Sequence, residues 1–421
     1  MDKFVINGGK KISGEIMISG AKNASLALMP ASILASGKSL LCNTPELNDV
    51  YTMIKLLNQL GVKSKFADHK VELDTSGINS QFAPYEHVKK MRASVYVLGP
   101  LLTKFGYAKV SLPGGCAWGP RPVNLHLEGM KRLGADIELT EGYIVAKCKR
   151  LKGALISFDI PSVGATGNVL MAAVLAKGTT IINNAAMEPE ITNLAEYLIK
   201  MGAKIDGVNT ATLTIEGVDE LKPVEIETIP DRIEAGTLLV AAAITGGEVK
   251  IKNIPSKFIS HIISKLEDSG CKISNPNGWM ELLKNNNKIK ATDVSTAVFP
   301  GFPTDMQAQW IAYMSLADGV ATVKDNIYLD RFSHVPELQR LGANIQVKEN
   351  TAIVQGVPKL KGAKVMSTDL RASASLVLAG LAAQGTTEVL RVYHLDRGYE
   401  KIEQKLRSLG ADIQRISGTE Y

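Results

Sequence analysis

The stretch RLGADIE, residues 132–138, occurs in recognisable form six times along the chain and decides its fold. The other copies are QLGVKSK, KMGAKID, DSGCKIS, RLGANIQ and SLGADIQ. The shared glycines, at positions 61, 134, 202, 270, 342 and 410, are separated by 73, 68, 68, 72 and 68 residues. A single such segment is common in α/β proteins, but six at nearly constant spacing predict six copies of one structural unit.

Each copy predicts the end of a helix followed by a strand. An amphipathic stretch precedes the glycine and alternating residues follow it, while a second stretch in each unit, such as VLMAAVLAKG, carries almost no charge and must be buried. We therefore expect an α/β fold of six units, each with two helices and several strands. Three units would form each of two domains.

The segment KPVEIETIP, residues 222–230, is punctuated by two prolines and marks the expected domain boundary. The predicted domains are residues 22–229 and residues 230–421 together with residues 1–21. Residues 4–19 resemble strands without a helix of their own, and we expect them to complete the C-terminal domain. Two chain crossings would then join the halves, an arrangement in which a cleft can close.

Composition favours an enzyme of the cytoplasm. The net charge of +6 is modest for 421 residues and the basic residues form no run, which suits a small anionic ligand better than nucleic acid. The four cysteines form no CxxC pair, so neither a zinc site nor a disulfide framework is indicated. The sequence shows no secretory signal and no apolar stretch long enough to span a membrane.

Cations occur where buried helices are expected to begin, although the helix dipole disfavours them there. The positions are Lys22, Arg92, Arg232 and Arg371. A cation beside free backbone N–H groups forms an anion site, so a phosphate or carboxylate ligand is indicated. The alternative is that Asp231 and Asp369 are ordinary N-caps with an arginine beside them.

The segment SLPGGCAWGPRPVNLH, residues 111–126, is rich in glycine and proline, and we expect a mobile surface loop without regular helix or strand. Cys116 lies at the centre of this cysteine loop, residues 111–122, with Arg121 nearby. A thiol in this setting can reach a ligand and can ionise more readily beside a guanidinium. The alternative, an inert small hydrophobe, has less need of such flanking glycines.

Three further residues are candidates for chemistry. Asp305, in FPTDMQAQW, lies at the start of another buried helix and is either its cap or a carboxylate that accepts a proton. Arg331 and Arg397 follow predicted strands in loop-like segments, and the planar guanidinium matches carboxylate and phosphate groups.

Together these motifs closely resemble the bacterial UDP-N-acetylglucosamine 1-carboxyvinyltransferase family, from end to end of the chain. The segments that carry the resemblance are SGAKNA, APYEHVKKMRAS, LPGGCAWGPRPVNLH, SVGAT, PDRIEAGT, FPTDMQAQ, DRFSHVPEL, TDLRASASLVLAG and YHLDRGYE. The resemblance implies an inside-out α/β barrel of two domains, each with threefold pseudosymmetry. It also implies transfer of the enolpyruvyl group of phosphoenolpyruvate to the 3-hydroxyl of UDP-N-acetylglucosamine (UDP-GlcNAc) through a tetrahedral ketal, with release of phosphate.

The roles that the resemblance implies are specific. Cys116 would be the general acid at the pyruvate methylene and the thiol that fosfomycin-type inhibitors alkylate, and Asp305 would be the base. The cations that would hold or surround phosphoenolpyruvate are Lys22, Arg121, Arg397, Arg331 and Arg371. The contacts to the nucleotide sugar would be Asn23, Arg92, Arg121, Pro122, Val123, Asn124, Leu125, Ser162, Val163, Gly164, Asp305 and Ile327. Neither a metal nor an organic cofactor is implied.

Two residues depart from the family pattern, Asn124 in place of aspartate and Trp118 in place of a smaller aliphatic residue. Two alternative functions remain. A 5-enolpyruvylshikimate-3-phosphate (EPSP) synthase would share fold and reaction but lack the cysteine loop. A six-unit clamp on nucleic acid would need cations along helix faces and not only at helix starts.

Overall fold

The computed structural model describes residues 2–89, 91–113, 123–275, 279–283 and 288–418. The chain divides into two compact units, the first Gly20–Ile229 and the second Met1–Ser19 together with Pro230–Tyr421. The chain therefore passes from one unit to the other twice, after Ser19 and after Ile229.

Each helix and strand belongs to one of the two units. Elements β3–β14 and α1–α7 belong to the first unit, and the remaining elements belong to the second. The strands are β1 (Lys3–Asn7), β2 (Glu15–Met17), β3 (Lys38–Cys42), β4 (Lys63–Ala67), β5 (Lys70–Asp74), β6 (Phe82–Ala83), β7 (Tyr107–Ser111), β8 (Asp136–Thr140), β9 (Tyr143–Lys147), β10 (Leu155–Ser157), β11 (Thr179–Asn183), β12 (Lys204–Asp206), β13 (Thr212–Glu216), β14 (Glu225–Glu227), β15 (Val249–Lys252), β16 (Lys272–Ser274), β17 (Met280–Leu283), β18 (Val294–Ser295), β19 (Val320–Lys324), β20 (Asn344–Lys348), β21 (Thr351–Gln355), β22 (Lys364–Met366), β23 (Thr386–Leu390) and β24 (Asp412–Ile416). The helices are α1 (Lys22–Ala31), α2 (Asn48–Gln59), α3 (Tyr85–Val88), α4 (Leu98–Phe105), α5 (Asn124–Arg132), α6 (Val163–Ala173), α7 (Pro189–Met201), α8 (Arg232–Thr245), α9 (Ser260–Asp268), α10 (Gln307–Met314), α11 (Val335–Arg340), α12 (Leu370–Ala382) and α13 (Ile402–Ser408).

Within the described residues, the strands form six four-stranded sheets with one common topology. The first two strands of each sheet run parallel, and the remaining neighbours run antiparallel. The orders in the first unit are β14-β3-β5-β4, β6-β7-β9-β8 and β10-β11-β13-β12, and those in the second are β2-β15-β17-β16, β18-β19-β21-β20 and β22-β23-β1-β24. The six repeats read from the sequence are therefore six sheets.

Strands that are distant along the chain complete the sheets of each unit. In the first unit, β14 comes last and pairs in parallel with β3. In the second, β2 pairs in parallel with β15, and β1 lies between β23 and β24. Phe4 and Ile6 of β1 are fully buried there, so the opening residues are part of the core of the second unit.

One helix of each repeat is buried almost entirely. These inner helices are α1, α4, α6, α8, α10 and α12, and every residue of α10 is buried. Helices α8, α10 and α12 pack against one another, and α4 packs against α6. A buried Leu, Ile, Val or Met side chain contributes about 1.5–3 kcal/mol by leaving water, which is why a helix without charges on any face must lie inside.

A second helix of each repeat, called the outer helix, ends one or two residues before the glycine of the repeated segment. The outer helices are α2, α5, α7, α9, α11 and α13. All six glycines have positive φ, between 91° and 112°, a left-handed conformation that costs other residues about 1–2 kcal/mol. The N–H after each glycine donates to the carbonyl five residues earlier, as from Ala135 to Met130 and from Ala411 to Leu406, both at 3.0 Å. This hydrogen bond closes the helix and turns the chain into the next strand.

One local expectation was wrong. Residues 111–126 were expected to lack regular structure, but Ser111 is the last residue of β7 and helix α5 begins at Asn124. Ser111 pairs with Tyr143, so the strand ends two residues before Pro113. Helix α5 begins after the last proline of the segment, where nothing prevents its backbone hydrogen bonds.

None of the helices in the described ranges has the length and hydropathy that a membrane span requires.

Candidate functional site

Three predicted site residues, Cys116, Arg121 and Pro122, lie outside the described residues, in the gap at 114–122, as does Trp118, which departs from the family pattern. The other predicted residues are divided between the two units. The second unit contains Asp305, Ile327, Arg331, Arg371 and Arg397. The first contains Lys22, Asn23, Arg92 and the two short runs 123–125 and 162–164.

In the second unit, two arginines hold the carboxylate of Asp305. The Nη1 of Arg331 donates to Oδ1 at 2.8 Å, and the Nη2 of Arg371 donates to Oδ2 at 3.0 Å. Asp305 lies in a 3-10 turn, Thr304–Met306, which has no side-chain cap hydrogen bond. The carboxylate is thus engaged by guanidinium groups and does not cap the helix. Its role as a base stays a prediction.

Both arginines are buried, with 7% of Arg331 and 2% of Arg371 exposed. Burial, the largest single cause, would lower the pKa of each guanidinium, but the neighbouring acidic groups, with Asp305 first among them, together raise the pKa of both. Arg331 and Arg371 are thus fixed positive charges on either side of one carboxylate. Charge-assisted hydrogen bonds of this kind are short and orient both partners.

A buried hydrogen-bond network supports Arg371. Its guanidinium lies 5.2 Å from the centre of the Tyr399 ring. The Tyr399 hydroxyl lies 2.9 Å from Thr237 Oγ1 and accepts a hydrogen bond from Gln309 at 3.1 Å. Because Thr237 and Gln309 lie on α8 and α10, all three inner helices of this unit meet at the ring.

Arg397 is the last residue of the 3-10 segment Val392–Arg397, two residues before Tyr399. The predicted loop position is thus a tight helical turn. Ile327 follows β19, and its N–H donates to the buried carboxylate of Asp325 at 2.9 Å. That carboxylate also accepts the hydroxyl of Thr304, the neighbour of Asp305, at 2.7 Å.

The aspartates that precede two of the inner helices are N-caps, as the alternative interpretation held. Asp231 accepts from the N–H groups of Ile233 and Glu234, and Asp369 accepts from those of Arg371 and Ala372. An anion site at these helix starts thus stays a prediction. The guanidinium of Arg232 lies 5.6 Å from the centre of the Phe299 ring.

In the first unit, Lys22 and Asn23 are the first two residues of α1. Lys22 Nζ lies 3.5 Å from the buried carboxylate of Asp49, at the start of α2. Arg92 begins the 3-10 segment Arg92–Val97 that leads into α4. The predicted cations therefore lie in the first turns of these elements.

His126 is a buried residue of α5 whose tautomer is fixed. The Oδ1 atom of Asn168 accepts the N–H of Gly99 at 2.7 Å, which fixes the orientation of the side-chain amide. The NH₂ group of Asn168 therefore faces His126, and its nitrogen lies 3.1 Å from His126 Nδ1. The Nδ1 atom therefore accepts and the proton lies on Nε2. Burial, and then the charge of Arg92, lowers the pKa of His126 to about 4, so the ring is neutral near pH 7.

The ring of His126 packs against the start of α6. A Cβ at Gly164 would lie 3.0 Å from His126 Nε2, so only glycine fits there without displacing the ring. Ser162 caps α6 by accepting the N–H of Ala165 at 3.3 Å, and the carbonyl of Val163 accepts the Tyr96 hydroxyl. The predicted run 162–164 is thus the first turn of a helix.

The other predicted run lies at the start of α5. Val123 occupies the N-cap position, the side chain of Asn124 is exposed, and Leu125 is half-buried. Because His126 follows directly in α5 and packs on Gly164, the structure brings residues 123–125 close to residues 162–164. Both runs were predicted to contact the same ligand.

Sequence reasoning missed Asp49, His126, Thr304, Asp325 and Tyr399. One signal was present for His126, which shares the apolar face of α5 with Met130 at helical spacing. The pairing of Asp49 with Lys22 depends on the packing of α1 against α2, and no local sequence pattern indicates it. Among the residues that the structure describes, no cluster of three or more His, Cys, Asp or Glu side chains could hold a metal ion.

Comparison with known proteins gives one consistent family. Residues 6–406 match the family described as EPSP synthase (3-phosphoshikimate 1-carboxyvinyltransferase). The chain is similar to the UDP-N-acetylglucosamine 1-carboxyvinyltransferase of Chloroherpeton thalassium, with 58% identity over 100% of this chain and 99% of the relative. The protein of the same description from Geotalea daltonii is 55% identical over 99% of this chain and 100% of the relative.

Solved structures share the fold. The enolpyruvyl transferase NikO from Streptomyces tendae matches with a TM-score of 0.88 at 24% identity, over 99% of each chain. An EPSP synthase from Acinetobacter baumannii matches with a TM-score of 0.77 at 17% identity, over 99% of this chain and 100% of that one. At these identities the likeness concerns the fold alone, and it confirms the predicted fold class.

The buried neutral state of His126 predicts a loss of stability in acid. The unfolded imidazole binds a proton near pH 6.5 and the folded one only near pH 4, so the free energy of unfolding falls as pH drops from 6.5 towards 4. In His126→Asn this fall should be smaller by about 2–3 kcal/mol. Urea denaturation of both proteins at pH 7 and pH 4.5 measures the difference, and equal falls would contradict the prediction. His334, whose pKa burial lowers to about 3, is present in both proteins and cancels.

Proposed function

The chain belongs to the UDP-N-acetylglucosamine 1-carboxyvinyltransferases of the EPSP synthase family, and on this premise we propose that it transfers the enolpyruvyl group of phosphoenolpyruvate to the 3-hydroxyl of UDP-GlcNAc. The observation that carries the proposal is the similarity to relatives of that description, at 55–58% identity over essentially the whole chain. The likeness to an EPSP synthase structure, at 17% identity, concerns the fold and does not support the alternative acceptor.

The reaction is an addition followed by an elimination. The oxygen of the 3-hydroxyl bonds to C2 of phosphoenolpyruvate and loses its proton to a base, while C3 takes a proton from an acid. The resulting tetrahedral ketal then loses phosphate from C2 and a proton from C3, which restores the double bond. Because phosphoenolpyruvate is itself the activated donor, the proposed chemistry requires neither a metal nor an organic cofactor.

We assign the base to Asp305. Its carboxylate is held at both oxygens, by Arg331 at 2.8 Å and by Arg371 at 3.0 Å, which restricts it to one orientation. An oriented carboxylate is what general-base catalysis at a bound hydroxyl requires. The two arginines thus act first on Asp305, and their charge also favours an anionic donor substrate.

The remaining roles follow the family resemblance. Lys22, Arg121 and Arg397 are assigned to the phosphate and carboxylate of phosphoenolpyruvate, with Lys22 and Arg397 also serving the chemical step. Residues 121–125 and 162–164, with Asn23, Arg92, Asp305 and Ile327, are assigned to the nucleotide sugar. The contact between His126 and Gly164 supports a common ligand for the two runs, because it joins them in the first unit.

Cys116 is assigned as the acid that protonates C3 and as the thiol that fosfomycin alkylates. The glycines and prolines that flank Cys116 in the sequence suit an acid that acts only after both substrates have bound.

The enzyme would catalyse the first committed step of peptidoglycan synthesis in the cytoplasm. Fractionation of cells from the source bacterium checks this location, and recovery in the envelope would contradict it.

A phosphate-release assay tests the acceptor. We expect purified protein to release phosphate from phosphoenolpyruvate when UDP-GlcNAc is present and not when shikimate 3-phosphate replaces it. The reaction without acceptor is the blank. Turnover with shikimate 3-phosphate and none with UDP-GlcNAc would overturn the proposed function.

Substitution of Asp305 tests the base. In Asp305→Asn, kcat should fall by about 10²–10⁴-fold, since proton transfer from the hydroxyl is lost, while UDP-GlcNAc still binds in a calorimetric titration. The control is Asp318→Asn, which removes an exposed carboxylate of the same repeat that pairs with Lys288. Normal turnover in Asp305→Asn would refute the assignment.

Substitution of Cys116 tests the acid. Cys116→Ser should lose most turnover and all covalent labelling by fosfomycin, since a hydroxyl is a weaker acid and nucleophile than a thiol. Peptide mass spectrometry locates the label in the wild-type protein. Cys42→Ser is the control, because Cys42 is the last residue of β3 in an ordinary strand setting. Labelling that persists in Cys116→Ser would contradict the role.

A further inference from the structure

The carboxylate of Asp325 is fully buried and accepts four hydrogen bonds. Its donors are the hydroxyls of Thr296 and Thr304, each at 2.7 Å, and the N–H groups of Ile327 and Tyr328, at 2.9 and 3.0 Å. A buried charge persists only where donors of this number satisfy it. Asp325 therefore fixes the hydroxyl of Thr304 as a donor.

The hydroxyl of Thr304 has a second partner. Because its proton is given to Asp325, its oxygen is free to accept, and the Nη1 of Arg331 donates to it at 3.1 Å. The same Nη1 donates to Asp305 Oδ1 at 2.8 Å. One nitrogen of Arg331 is thus placed by Thr304 on one side and by Asp305 on the other.

Asp325 differs from the residues at the same position in two other repeats. The register of the parallel strand pairs places Asn43, Asn184 and Asp325 at one position, directly after the second strand of each sheet. Asn43 and Asn184 are left-handed there, with φ of 52° and 55°, and their amides donate to the carbonyls of Thr228 and Phe158. In the fifth repeat the side-chain amide of the next residue, Asn326, donates the corresponding hydrogen bond to the carbonyl of Thr296. Asp325 does not make that bond and instead accepts the four hydrogen bonds described above.

We propose that Thr304 and Asp325 form a positioning relay that orients Arg331 and, through it, the Asp305 carboxylate. The inference deepens the proposed function, on which it rests, because it concerns the placement of the assigned base. Neither Thr304 nor Asp325 transfers a proton. They affect the orientation of Asp305, so their loss lowers kcat more than it weakens binding of the nucleotide sugar.

The chain offers a matched pair of variants. Thr304→Val and Thr296→Val each keep the side-chain shape, and each removes one hydroxyl donor to Asp325 and one accepted hydrogen bond. Thr304→Val loses the hydrogen bond that Arg331 donates to the Thr304 hydroxyl. Thr296→Val loses the hydrogen bond that the N–H of Asn326 donates to the Thr296 hydroxyl at 2.9 Å. Only the first variant breaks the relay.

The experiment measures kcat, KM for UDP-GlcNAc and the melting temperature of the wild type, both valine variants and Thr304→Ser. We expect kcat to fall by about 10²-fold in Thr304→Val, with KM little changed. In Thr296→Val kcat should stay within about threefold of the wild type, even though its melting temperature falls at least as far. Thr304→Ser keeps the hydroxyl and should recover most of kcat.

The outcomes separate the relay from a structural role. Equal losses of kcat in the two valine variants, unchanged kcat in Thr304→Val, or failure of Thr304→Ser to recover activity would each overturn the relay. Wild-type protein that is inactive with UDP-GlcNAc would instead reject the proposed function, which the first measurement of the series decides.

Discussion

One hydrogen bond per repeat sets the geometry on which the rest of this chain depends, that from the N–H after a left-handed glycine to the carbonyl five residues earlier. It ends the outer helix at a defined residue and directs the chain into a strand of the same sheet. Because the turn is the same six times, the sheets keep one topology and each inner helix is covered. The apolar sequences of those helices can exist only in that setting.

The candidate base lies in a repeat where this regularity fails. In the described part of the chain, the residue after the second strand of a sheet is left-handed in four repeats, at Asn43, Asn184, Asn253 and Arg391. The fifth repeat has the buried carboxylate of Asp325 at this point. The second repeat has Leu112 at this point, followed by Pro113. Two repeats thus depart from the common pattern, and one of them contains Asp305.

Periodicity explains what the sequence could predict. The six units, their buried helices and the cations at the helix starts all follow from local patterns, and the predicted fold class is confirmed. The family resemblance grouped Arg331 and Arg371 among the cations around phosphoenolpyruvate. Their convergence on the Asp305 carboxylate could not be predicted, since the two arginines lie 26 and 66 residues from Asp305 along the chain. The hydrogen bond between Thr304 and Asp325 could not be predicted for the same reason, because local sequence patterns do not indicate contacts between distant parts of the chain.

The placement of β1 also has a consequence for how the protein is made. Its partners β23 and β24 lie almost 400 residues further along the chain, as the pairing of Lys3 with Leu390 and with Ile416 shows. At about 5–20 residues per second, a ribosome needs on the order of 20–80 seconds to add them. The first unit can close its sheets as soon as β14 emerges, while β1 remains an apolar strand without partners. The nascent chain therefore carries β1 without its partners until β23 and β24 have been added, and holdase chaperones have that interval in which to bind it.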